Sequence, residues 1–280
     1  MSRLGILEVA VDNKVIPIRR EDDDNFDILL HESVKAGDSF EVSILLQLGA
    51  DPNSKDERGK SAVEIAKERG HREIHSGGEE TGEVKWTSHE LILTKPSASQ
   101  CQEVISQLTN SHQDIYLNHS SPDIVYVLMS LVLDIRTIKG INIQYTKITK
   151  DVILLLSHKI TNNTSLDTLS ISSDSINDDG VIALTQSLIN NRKITYFYLS
   201  YNPNITSTSA QSLAELLLYN HALSYLRLDS TNIDTDGVLV LMESLRTNNT
   251  LWKLALDKKH KQTCYSLPYY KTIEDRLVFE

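Results

Sequence analysis

Residues 194–202 read ITYFYLSYN, and their spacing decides the fold. Ile194, Phe197 and Leu199 fit L-x-x-L-x-L, with Tyr196 and Tyr198 in alternation with them. Alternation at period two is a strand pattern, with successive side chains on opposite faces. One face here is apolar and the other is tyrosine. The same pattern recurs in LDTLSISSD (166–174), LSYLRLDST (223–231) and LWKLALDKK (251–259). The starts at Leu166, Ile194, Leu223 and Leu251 are 28, 29 and 28 residues apart, the extra residue lying in YNPNI (201–205). Ile138, Ile141 and Ile143 sit one step earlier. Weaker, closer-spaced copies fall at Ile115/Leu117 and Leu91/Leu93, for up to seven strands.

Other positions keep the same step. Ile148, Ile176, Ile205 and Ile233 close the turn after a strand. Leu156, Leu184, Leu213 and Leu241 fall midway along the segment that follows. Ile160, Leu188, Leu217 and Leu245 come four residues later, on the same face of a helix. Asn163, Asn191, Asn220 and Asn248 each precede the next repeat by three residues. An asparagine there can bond backbone groups as the helix ends, and it tolerates the left-handed conformation such ends often use. A single strand–helix unit cannot bury its own apolar side, so neighbouring units must stack.

The pattern resembles the leucine-rich-repeat family in its 28-residue subtype, familiar from ribonuclease inhibitor and nucleotide-binding leucine-rich-repeat receptors. The resemblance is clear over 138–257 and extends back to about 88. It implies an α/β solenoid, a horseshoe with a parallel sheet inside and helices outside. Phe197 and Leu199 then point into the core. Tyr196, Tyr198 and Tyr201 point out of the concave face, with Tyr225, Arg227 and Asp229 on one side and Thr168, Ser170, Ser172 and Ser173 on the other. Asn142, Gln144 and Tyr145 follow, then Tyr116, Asn118 and His119. Tyrosine, arginine, serine and asparagine supply rigid amphipathic area and adaptable hydrogen bonds, as in binding surfaces. Tyrosine also suits any strand surface, where it merely shields the sheet. The candidate protein-binding residues are Tyr196, Tyr198, Tyr201, Tyr225, Arg227, Asp229, Tyr145 and Tyr116.

Residues 24–74 resemble ankyrin repeats, an all-α unit ahead of the solenoid. Leu30 and His31 fit the end of a T-P-L-H motif, although Ile28 and Leu29 replace its first two residues. AGDSFEVSILLQLGADPN (36–53) matches closely, with Gly49 where a helix ends. DERGKSAVEIA (56–66) opens a second repeat that lacks its usual ending. The expected organisation is an N-terminal segment 1–23, ankyrin-like repeats 24–74, a polar glycine-containing linker 75–87, leucine-rich repeats 88–260, and a cap 261–280 whose KTIEDRLVFE (271–280) reads as a capping helix.

Composition narrows the function. The 280 residues are 40% hydrophobic and 24% charged, an ordinary globular balance, with a net charge of −10. Nothing resembles a basic nucleic-acid footprint. The N-terminus has no signal-peptide pattern. The most apolar run, IVYVLMSLVL (124–133), is half the roughly 20 residues a membrane helix needs. Two cysteines, Cys101 and Cys264, fit free thiols in a reducing, cytoplasmic compartment. Among chemical motifs, SKDERGKS (54–61) ends in G-K-S, but Ser54 stands where a phosphate loop needs its first glycine. HREIH (71–75) spaces two histidines by four, yet Arg72 replaces the glutamate of a zinc protease. No catalytic residue, cofactor or metal ligand is expected.

The expectation is a non-catalytic interaction module that binds a protein partner, with neither nucleic acid nor membrane. The receptor resemblance points to innate-immune-type sensing or scaffolding. Two rivals share the repeat. A regulator resembling the Ran GTPase-activating protein would carry a strongly acidic tail, and this sequence ends in a mixed one. A ribonuclease-inhibitor-like protein would be rich in cysteine and strongly acidic on its inner face.

Overall fold

The computed structural model describes residues 7–11, 14–18, 24–37, 42, 45, 50–69 and 82–280. The chain divides into two compact units, Met1–Glu79 and Glu80–Glu280.

In the first unit, β1 (Leu7–Val11) and β2 (Lys14–Ile18) pair antiparallel. Helices α1 (Asp24–Ala36) and α2 (Ala62–Arg69) follow. Leu30, Val34, Ala62, Ile65 and Ala66 are buried in one cluster with Val42, Leu45 and Ala50. His31 is buried, its Nδ1 against Asp27 O and its Nε2 against Ser54 O. Local chemistry sets the start of α2. Ser61 Oγ accepts from Glu64 N, and the Glu64 carboxylate accepts from Ser61 N, closing a reciprocal cap. The ankyrin reading of 36–53 lies mostly outside the described residues.

In the second unit, β4 (Glu90–Thr94), β5 (Asp114–Asn118), β6 (Gly140–Gln144), β7 (Thr168–Ser172), β8 (Tyr196–Tyr198), β9 (Tyr225–Arg227) and β10 (Lys253–Leu256) form consecutive parallel neighbours. Helices Ala98–Gln107, Pro122–Val132, Lys150–Asn162, Asp178–Leu188, Ala210–Tyr219 and Thr235–Thr247 alternate with them. Strand residues Ile141, Leu169, Phe197, Leu226 and Leu254 share one core with Leu156, Leu184, Leu213 and Leu241 from the helices. Phe197 and Leu199 are fully buried. This is the strand-and-helix alternation that the repeat resemblance implies.

Each end of the sheet differs from expectation. Glu83–Trp86, placed by sequence in the linker, is β3 and pairs antiparallel with β4. Leu277–Phe279, read as part of a capping helix, is β11 and pairs parallel with β10 after an α-helical turn at Tyr270–Ile273 and a 3-10 turn at Glu274–Arg276. Strands this short satisfy their backbone groups against a neighbour already in place, which local propensity alone does not reveal.

The recurrent asparagines form a ladder along the edge where helices end. Asn220 Oδ1 accepts from Ala222 N and Leu223 N at 2.8 and 2.7 Å. Its Nδ2 donates back to Leu188 O and Asn191 O at 2.7 and 2.9 Å. Asn191 bonds Ile160 O and the amides of Lys193 and Ile194 in the same way, and Asn163 and Asn248 repeat the arrangement. Arg276 closes the ladder. Its guanidinium donates to Leu245 O, Asn248 O, Leu251 O and Asn248 Oδ1. One expectation needs correction: Asn163, Asn220 and Asn248 are extended, with ψ of 132–135°. The left-handed non-glycine residues stand at the opposite edge, just past the strands: Lys95, His119, Tyr145, Ser173, Asp174, Tyr201 and Ser230, with φ between 49° and 64°.

Candidate protein-binding face

The face of the sheet away from the helices carries the tyrosines. Register aligns Tyr196 with Thr168 and Tyr225, and Tyr198 with Ser170 and Arg227. Adjacent strands lie about 4.8 Å apart, so these side chains are lateral neighbours. The rings of Tyr198 and Tyr225 meet edge to face, centroids 5.4 Å apart at 88°. Tyr196 and Tyr198 are 6.1 Å apart at 49°. Both are favourable arrangements of ring quadrupoles. All three tyrosines are half-buried. Burial raises the phenol pKa of Tyr198 and Tyr225, since the phenolate would lose hydration.

Arg227 is fixed from below. Its Nε donates to Asp229 Oδ1 at 2.8 Å, and a terminal nitrogen lies 3.3 Å from Oδ2. Ser200 Oγ donates to the same carboxylate at 2.8 Å. Asp229 is 1% exposed. The sequence placed Asp229 on the binding surface; the structure buries it as the group that orients Arg227. This hydrogen bond also raises the Arg227 pKa.

A depression of about 760 Å³ opens beside this pair. Ser170, Ser172 and Ser200 line it and are nearly buried. Tyr145, Tyr198 and Tyr201 also line it, together with Asn142, Gln144, Arg227 and Asp174. Tyr145 and Tyr201 are each 58% exposed and stand in left-handed backbone just past their strands. Tyr145 stacks on His119, rings 4.7 Å apart and 7° from parallel.

The structure therefore brings together Tyr145, Tyr198, Tyr201 and Arg227, with Tyr196 and Tyr225 adjoining. Tyr116 stands apart, separated from Tyr198 in its row by Asn142 and Ser170. Its phenol pKa is raised by burial and by Glu90. The serine residues were visible in the sequence as neighbours but not as a site. The signal was their small size beside the tyrosines of β8, which leaves a hollow.

Other motifs resolve simply. Gly59 has φ 72° in a turn, and Lys60 Nζ bonds Glu68 Oε1 at 2.6 Å. The G-K-S segment thus holds an ion pair within its own unit. HREIH lies outside the described residues. Among described residues no group of His, Cys, Asp and Glu could hold a metal ion. Cys101 and Cys264 are buried, and burial pushes their thiols up to about 12 and about 11. Among described residues no helix is long and apolar enough to cross a membrane.

No family model matches the chain, and no curated protein matches it. Among solved structures, one similar chain is leiomodin-1 actin-binding site 2, at 22% identity, covering 46% of this chain and 77% of that one, with a TM-score of 0.38.

Proposed function

We propose that the chain is a non-catalytic interaction module of leucine-rich-repeat type that acts in the cytoplasm. It binds a protein partner through the face built from Tyr196, Tyr198, Tyr225 and Arg227, with Tyr145 and Tyr201 beside them. The observation that carries this reading is the contiguous arrangement of these residues across β8 and β9. Large aromatics and arginine at the centre of an interface carry most of its energy. The buried Asp229 holds Arg227 before any partner arrives, which lowers the ordering cost of association.

The test is a pull-down from native cells with the wild-type chain and the Tyr198→Ala, Tyr225→Ala double variant. The variant should stay folded and lose a partner that the wild type captures. A folded variant that keeps every wild-type partner would place the binding face elsewhere.

A further inference from the structure

Ser170 and Ser172 are 5% and 8% exposed, yet both line the depression. Neither hydroxyl makes a hydrogen bond to the described residues, whereas Ser200 beside them is committed to Asp229. Nearly buried hydroxyls that face an open hollow favour an occupant carrying a polar group. A hydroxyl both donates and accepts.

The charges around the hollow are already matched. Arg227 is held by Asp229 at 2.8 Å and has Glu280 at 3.9 Å. Asp174 lies 3.7 Å from Lys147 and accepts from Asn204 Nδ2 at 2.8 Å. The hollow therefore offers little to an ionised group, which would surrender its hydration for charges that are spoken for. Tyr145, Tyr198 and Tyr201 instead offer aromatic surface, which favours an aromatic occupant beyond the area it buries, through offset and edge-to-face ring contacts.

We infer that the depression is the anchor socket for a neutral phenol, a tyrosine side chain of the partner protein, with Ser170 and Ser172 recognising its hydroxyl. A phenol can donate to one serine and accept from the other. An indole only donates, and a phenyl ring leaves both serines unpaired. The volume, about 760 Å³, lies within the roughly 300–1,000 Å³ of ordinary ligand sites and admits the ring with its flanking backbone. The inference rests on the proposed reading of this face and names what the partner presents to it.

The experiment titrates the isotope-labelled full chain with four probes: N-acetyl-tyrosinamide, N-acetyl-phenylalaninamide, phosphotyrosine amide and N-acetyl-argininamide. The tyrosine probe should shift the amides of residues 170–173 saturably and bind about three- to tenfold more tightly than the phenylalanine probe, the worth of one neutral hydrogen bond. The Ser170→Ala, Ser172→Ala variant should remove that difference while still binding both. Equal binding of the two probes to the wild type, preference for either charged probe, or no shift at 170–173 would overturn the inference. The pull-down separates the two readings. A partner lost with the tyrosine double variant, but no phenol preference, leaves the face intact and removes the socket. A phenol preference with every partner kept by the tyrosine double variant leaves a socket on a face the partner does not use.

Discussion

Two edges of the repeat sheet mark successive repeats in different ways. Where helices end, the same residue recurs: Asn163, Asn191, Asn220 and Asn248. Where strands end, the same backbone recurs: His119, Tyr145, Ser173, Tyr201 and Ser230 all take positive φ, with no common side chain. The difference follows from which part of the residue does the structural work. Each asparagine bridges two repeats through both ends of its amide, and no other side chain offers a donor and an acceptor at that reach. At the strand ends the backbone is satisfied by the backbone of the next repeat's turn, as in Asp174 N donating to Tyr201 O at 2.8 Å and Tyr201 N to Asp229 O at 3.1 Å. The side chain is left over. Two of these positions hold exposed tyrosines, although αL costs a bulky residue of order 1–2 kcal/mol.

The largest expected effect breaks the asparagine edge. Asn220 is 2% exposed, and valine would strip partners from Leu188 O, Asn191 O, Ala222 N and Leu223 N. At roughly 1–3 kcal/mol per buried group left unpaired, partly relieved by local shifts, the loss should reach about 3–5 kcal/mol. Urea unfolding of the full chain measures it. A loss below 1 kcal/mol would reduce the recurrence to composition.

Arg276 tests where that edge stops. Methionine there keeps much of the apolar stem and removes donors to Leu245 O, Asn248 O and Leu251 O. We expect a loss of about 2 kcal/mol, smaller because the end of the sheet admits water. Hydrogen exchange should quicken at β10 and β11 and stay slow at β6 and β7. Uniform quickening would mean that the cap supports the whole array.

The sequence made some of this legible and hid the rest for physical reasons. The period of 28 residues exposes the core because Leu169, Phe197 and Leu226 must meet the same helical face in every repeat. The asparagines are legible because their job depends on the side chain. Asp229 misleads because alternation ends with the strand: β9 stops at Arg227, and two residues later the chain turns the carboxylate under the guanidinium. β3 and β11 are hidden because four and three residues carry too little pattern. The hollow is hidden because it consists of what is missing, large side chains on β7, and the polar contacts of Ser170 and Ser172 are not written in their spacing.

The two edges should also differ in their response to acid. His260 is buried near the strand-end loops, among Asp234, Asp257 and Lys259, and burial lowers its pKa below 6.5. Above that pH the imidazole is neutral in folded and unfolded chains alike. As pH falls through about 6.5, the unfolded chain takes up the proton first, so stability is lost until the folded pKa is passed. Amides of residues 257–264 should exchange faster, relative to intrinsic rates, at pH 5.5 than at pH 7.5. His260→Phe should abolish the change. The asparagine amides do not titrate, so protection at 220–223 should stay constant unless unfolding is global.

The smallest expected effect has the opposite sign and tests the strand-end edge directly. If the backbone there is fixed and the side chain free, glycine should be the best residue for stability at Tyr201, φ 59°. Glycine avoids the αL cost of roughly 1–2 kcal/mol but surrenders about 0.5–1 kcal/mol to the freer unfolded chain. The exposed ring adds little, since it is 58% accessible. Tyr201→Gly should therefore match or exceed the wild type by up to about 1 kcal/mol. Tyr201→Ala keeps the strain, loses the ring, and should fall below the glycine variant by about 1 kcal/mol. Both variants should weaken partner binding alike, because both lack the ring beside the hollow. Glycine less stable than alanine would show that the tyrosine is held by packing at this edge. Stability gained with binding unchanged would leave the strain at Tyr201 without a functional return and move the interface toward Tyr196 and Tyr225.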